Sequence, residues 1–277
     1  MGYKSAPMKA LRQLFFACVA MFCLTGCLQV EKLVKLNADG SGTVEETVIM
    51  TKAAIQGIKQ MAAGFGAGAK DVPSKPFEVF DEAKVKEAAA KMGEGVTYVS
   101  GTKVTSDLGE GYKAVYAFTD INKLKVDQSP GSSMSAANGP QPKGDEKKKE
   151  PVGFRYTKGS PSELAITMPE PDFKGKKGQP EGAEDFAMQM MQQMLKDMKI
   201  TLAVEVAGAI QETNAEYRDG PRVTLMEVDM NKLLGDPAKF KELVKASPST
   251  LQEGKALLKS IDGVKVETAP EVKIKFQ

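Results

Sequence analysis

The chain has 277 residues, with 38 basic and 36 acidic side chains, three cysteines, no histidine and no tryptophan. The missing histidine excludes a Ser-His-Asp or Cys-His apparatus, histidine zinc ligation and a histidine pH switch. After position 26 the only arginines are Arg155, Arg218 and Arg222, and lysine is spread along the chain, which is not the footprint of a nucleic-acid binder.

Lys4, Lys9 and Arg12 precede an apolar run from Leu14 to Cys23, and Leu24-Thr25-Gly26-Cys27 closes it. A basic segment, a short apolar segment and small residues before a cut site are the layout of a secretory signal. The run falls short of the ~20 residues that cross a bilayer, so residues 1–26 are predicted to be removed. Met8-Lys9-Ala10-Leu11-Arg12 is a complete basic segment by itself, which leaves Met1 and Met8 both open as the start. A myristoylation motif at Met1-Gly2 fails, because Ala6 stands where Ser or Thr is required.

Leu24 to Cys27 resembles the lipobox of bacterial lipoproteins. The resemblance implies a diacylglycerol on the Cys27 thiol, cleavage just before it and acylation of the new amine. Small Thr25 and Gly26 let a peptidase approach the backbone, and cysteine supplies the thiolate. Several acyl chains hold a protein on a membrane where one chain holds it marginally. Leu rather than Asp at position 28 implies export to the outer membrane, facing the periplasm, in a Gram-negative host. Cleavage takes three of the 38 basic groups and none of the 36 acids, so the mature chain has a net charge near −1. It also removes Cys18 and Cys23, which leaves no pair for a disulfide.

Val30 to Asn37 and Thr43 to Met50 predict a hairpin around Asp39-Gly40, because glycine accepts the positive φ of the turn. Asn37, Asp39 and Ser41 alternate like calcium ligands. The register fails, though, since Lys35 or Val48 falls on a required acid position. Residues 52–65 predict a helix ending in a glycine run that lacks the Gly-Lys-Ser/Thr of a phosphate loop. A second helix fits Asp81 to Lys91. Val96 to Val104 and Tyr112 to Thr119 read as paired strands.

Residues 127–151 lose the apolar signal and predict a disordered, flexible linker. Val152 to Lys158 and Glu163 to Met168 resume as a hairpin. Glu181 to Met198 predicts a methionine-rich helix with Met188, Met191, Leu195 and Met198 on one face, widened by Met194. Three readings stay open for it: a core-facing helix, an apolar groove for acyl chains or a partner, and Cu(I) ligation through thioethers. Ile200 to Val206 and Arg222 to Val228 read as strands, and Asp236-Pro237 and Ser247-Pro248 start helices. Val264 to Glu267 and Val272 to Phe276 predict a closing hairpin around Ala269-Pro270.

The acid pairs Glu45-Glu46, Asp81-Glu82 and Glu184-Asp185 do not read as catalytic dyads. Neighbours on a strand point to opposite faces, and acids at helix starts complement the dipole. Cys27-Leu28-Gln29-Val30 leading to Asp39-Gly40 resembles the opening of the LppM-type bacterial lipoprotein domain. Val204 to Gly208, Thr213-Asn214-Ala215, Gly220 and Val223-Thr224-Leu225 are similar to its late strand pair. The resemblance implies a lipid anchor on an antiparallel β-rich domain that contacts lipid or envelope partners without catalysis. Residues 52–198 are longer than that pattern, and 230–277 fall outside it.

The sequence thus predicts an α+β fold: antiparallel hairpins forming one sheet covered by several helices, in two parts at 27–126 and 152–277 joined by the linker. The expected function is that of a non-catalytic lipoprotein of the cell envelope. It would be attached through Cys27, with a lipid or envelope protein as ligand and without a cofactor, a metal or a nucleic acid. An apolar groove at Met188, Met191, Met194, Leu195 and Met198 is the candidate binding surface. The rival expectation is an envelope hydrolase whose carboxylates and lysines meet only in the fold.

Overall fold

A computed structural model of the chain describes residues 28–65, 78–127, 150–169, 192, 195–240 and 251–277. The signal, Cys27 and nearly all of the linker lie outside these. Strands β1 (Leu28–Leu36) and β2 (Gly42–Thr51) form the expected hairpin, with Leu28 opposite Met50 and Leu36 opposite Gly42. Period-two alternation turns Val30, Lys32 and Val34 inward with Val44, Glu46 and Val48. The turn between them is held by its own side chains. Asp39 Oδ1 accepts the Ser41 backbone N–H and hydroxyl at 2.9 and 2.6 Å, and Gly40 sits at φ 91°. These hydrogen bonds from Ser41 hold the Asp39 carboxyl below its usual range. The alternation that looked like metal ligands is therefore the chemistry of a turn.

Helix α1 (Lys52–Phe65) leaves β2 directly, and α2 (Glu82–Lys91) starts on Asp81, whose carboxylate accepts the amides of Ala83 and Lys84. Strands β3 (Val96–Thr105) and β4 (Gly109–Phe118) form the next hairpin, followed by a 3-10 turn at Ile121–Lys123. Then come β5 (Gly153–Thr157), β6 (Ser162–Thr167), β7 (Lys199–Val206), β8 (Ile210–Thr213), β9 (Arg218–Asp219) and β10 (Arg222–Asp229). The chain ends with α3 (Met230–Leu234), α4 (Leu251–Lys259), β11 (Val264–Val266) and β12 (Glu271–Phe276). The helix expected after Asp236 starts at 237, with Asp236 Oδ1 accepting the Lys239 amide at 3.0 Å.

The architecture corrects the α+β expectation. The described residues are mostly strand, and they form two sheets. The larger runs β11-β10-β7-β1-β2-β4-β3, with the short β9 on β10, and the smaller runs β5-β6-β12-β8. The single sheet under several helices is not what forms. The inner face of the large sheet is covered partly by the small sheet and partly by α1 and α2. Val34, Val44 and Val204 of one sheet share a continuous buried cluster with Leu164, Ile166 and Ile274 of the other, and Ile55, Val85 and Ala88 complete it. Each fully buried Val, Leu or Ile contributes about 1.5–3 kcal/mol, so a strand-on-strand core of this extent is a large part of what holds the fold.

Two pairings depart from a purely antiparallel reading. β1 lies parallel to β7, from Gln29 beside Lys199 to Leu36 beside Val206. β11 and β12 are not a hairpin: β11 pairs with β10 in the large sheet, and β12 crosses to pair with β6 and β8 in the small one. Alternation tells which side chains share a face, and it leaves open which sheet the strand joins.

Close backbone contact fixes the β2–β4 seam. A Cβ at Gly111 would stand 1.8 Å from the Val48 carbonyl oxygen. We expect Gly111→Ala to lower stability by about 3 kcal/mol, read as a reduced urea midpoint; an unchanged midpoint would contradict this packing.

Candidate functional site

Two regions gather polar chemistry: the interior of the large sheet, and its rim at the start of β1. In the interior, Lys32 stands directly opposite Glu46 across the β1–β2 pair, with Lys32 Nζ 3.4 Å from Glu46 Oε2. The Tyr112 hydroxyl donates to Glu46 Oε1 at 2.8 Å, and Lys32 Nζ donates to the Asp127 carbonyl at 3.4 Å. The two charged side chains are 7% and 1% exposed. A lysine, a carboxylate and a phenol in contact could move a proton, but at this burial no substrate reaches them. Their chemistry is that of a core ion pair, which fixes register because any slip would strand a charge among valines. Nearby, burial and then the Glu46 charge push the Tyr116 hydroxyl above its usual range, and it donates to the Val85 carbonyl at 3.1 Å.

A second buried acid, Glu267, follows β11 where the chain crosses between sheets. Its Oε1 accepts the amides of Glu216 and Tyr217 at 2.8 and 3.0 Å. Desolvation raises its carboxyl above the usual 4.5, and the two amides oppose that shift. With 4% of its surface exposed, it ties the loop before β9 to the crossover through Oε1, while Oε2 is buried without a hydrogen-bond partner among the described residues. On the outer face, Glu45 lies between Lys113 at 2.8 Å and Lys35 at 2.6 Å, and those hydrogen bonds hold it below the usual range, Lys113 first. Among the described residues no three histidine, cysteine, aspartate or glutamate side chains gather closely enough to hold a metal ion.

At the rim, turns are tied to strand ends. The Lys52 amide donates to the Leu108 carbonyl at 3.0 Å, and Gln29 Nε2 donates to the Asp197 carbonyl at 3.4 Å. Asp197 takes φ 66°, a left-handed conformation held by Asn231. Asn231 Oδ1 accepts the Asp197 amide at 3.0 Å, and its Nδ2 donates back to the Asp197 carboxylate at 3.0 Å. The Met230 amide closes the row on the Met198 carbonyl at 3.0 Å.

Of the residues expected to line a groove, Met188, Met191 and Met194 lie outside the described residues, as does Cys27. Leu195 and Met198 are described. Both are half-buried against Met230, Leu233, Phe240 and Ile261, a second cluster beside the main core. These two flank that cluster and keep part of their surface open. The Lys32–Glu46 pair was legible in principle, because Lys32 interrupts the inward row Val30-x-x-x-Val34 and Glu46 interrupts Val44-x-x-x-Val48.

Replacing Lys32 alone, by Met, should cost about 3–5 kcal/mol because it leaves Glu46 buried without its cation. Adding Glu46→Leu should recover most of that loss in the urea midpoint; no recovery would show that the pair is not coupled. For Glu267 the raised folded-state value means that stability is greatest below the usual 4.5 and falls as pH rises through the raised value. Glu267→Gln keeps an acceptor for the two amides, so its stability should gain on the wild type over that window, measured by thermal melts at successive pH. Parallel curves would contradict the assignment.

No family model and no curated protein sequence matches the chain. Among solved structures it is similar to the NMR structure of the folded domain of LppM from Mycobacterium tuberculosis, over 91% of this chain and 92% of that one, at 10% identity and a TM-score of 0.33.

Proposed function

We propose that this protein is a lipid-anchored lipoprotein of the bacterial cell envelope, held to a membrane through acyl chains on Cys27, which binds a lipid or a protein partner there without catalysis. One observation carries the reading: the basic segment, the short apolar run and Leu24-Thr25-Gly26-Cys27 occur in order and end one residue before the first strand of the fold. A domain boundary at a cleavage site is what processing requires, because the peptidase needs an extended, unpaired chain on its side of the cut. Among the described residues no helix is long and apolar enough to cross a membrane, so the attachment proposed is the lipid. Leu28 after the cysteine favours the outer membrane in a Gram-negative host.

The non-catalytic part rests on how the buried acids are used. Glu46 is sealed against Lys32 and Tyr112, and Glu267 is spent on backbone amides. Cys27→Ser should abolish incorporation of radioactive palmitate and leave the uncut precursor in the membrane fraction. Continued labelling, or normal cleavage without it, would sink the lipoprotein reading.

A further inference from the structure

Leu28 is already part of strand β1, and position 27 is the residue proposed to carry the lipid. Given the anchor reading, on which this inference rests, nothing separates the acyl chains from the folded body. One residue of extended chain spans about 3.5 Å, so the start of β1 can rise no farther than that above the headgroup layer in which Cys27 sits. β1 is an inner strand of the large sheet, so its neighbours come down with it. Met50 of β2 is opposite Leu28, Gly109 of β4 is opposite Thr51, and Lys199 of β7 is beside Gln29. At about 4.8 Å per strand these four strand ends span roughly 14 Å of rim.

We propose that this rim docks on the phospholipid headgroups, so that the large sheet stands end-on to the membrane and the β1–β2 turn points away. Leu28 to Leu36 at about 3.3 Å per residue puts that turn roughly 30 Å from the surface. The hydrogen bonds from Lys52 to Leu108, from Gln29 to Asp197 and between Asp197 and Asn231 make the rim one firm face, not a set of loose loops. Two of its cations pair off, Lys103 with Glu110 at 3.0 Å and Lys199 with Asp229 at 3.7 Å, and exposed Lys52 and Lys196 are matched in number by Asp107 and Asp197. A face without surplus cations has no need of anionic lipid. Docking on a neutral headgroup layer, driven by the tether's shortness, is what the arrangement fits, and it should persist at high salt.

The absence of tryptophan makes the test direct. Exposed Asp107, in the β3–β4 turn of the rim, and exposed Ala38, in the distant β1–β2 turn, each take a single reporter as Asp107→Trp and Ala38→Trp. The acylated full-length mature protein is placed in phosphatidylcholine vesicles doped with a headgroup-nitroxide lipid. The Asp107→Trp emission should be quenched several-fold more than that of Ala38→Trp, and equally in low and high salt. Inserting a flexible Gly/Ser segment between Cys27 and Leu28 should bring both down to the same weak quenching. The N-terminal mass of the same sample reports acylation. An unacylated terminus would overturn the lipoprotein reading and the docking together. An acylated terminus with equal quenching of the two reporters, or with no effect of the insertion, would overturn the docking alone.

Discussion

The rest of the structure depends on the parallel pairing of β1 with β7. It joins a hairpin formed within the first 25 described residues to a strand some 170 positions later, and it makes the two halves of the chain one large sheet. Without it, β1-β2-β4-β3 and β7-β10-β11 would be two small sheets, each with an open edge in the middle of an apolar face. Closing such a distance costs loop entropy that grows only slowly with length, and the apolar residues Val30, Val34, Leu202 and Val204 brought together along the seam offset it. The small sheet then covers the inner face across that seam, so its place also follows from this one ladder.

The Lys32–Glu46 pair spans the neighbouring β1–β2 ladder and makes that pairing selective. Valines alone would tolerate a shift of two residues, because the same faces would still meet. A lysine and a glutamate that must stand opposite one another, with Tyr112 bonded to the second, do not tolerate it. The polar pair thus works on specificity more than on net stability, which is why it can be buried without being a site of chemistry.

The local pairings were legible in the sequence. Asp39-Gly40 between Val-rich runs and Asp81 before an Ala-rich helix each encode their structure within a few residues. The two-sheet layout was not, because Glu271–Phe276 alternates in the same way whether it pairs with β11 or crosses to β6. The short β8 was missed as a strand, since Ile210–Thr213 has a single inward apolar residue and takes its pairing from β12. Leu195 and Met198 show the limit of periodicity for a site: a shared face says that they meet something apolar without saying what, and here they pack beside Met230 and Leu233.

The position of β1 also bears on the order in which the chain can fold. Among the described strands it is the first in sequence and an inner strand in space, and one of its two partners, β7, follows it by some 170 positions. A chain passing through a narrow translocation channel amino end first would present the β1–β2 hairpin early and still be unable to complete the sheet until β7 had followed. Before that point the emerged part has one unfilled flank, on the β7 side of β1. A fold whose first strand waits on a distant one carries its own delay, set by topology.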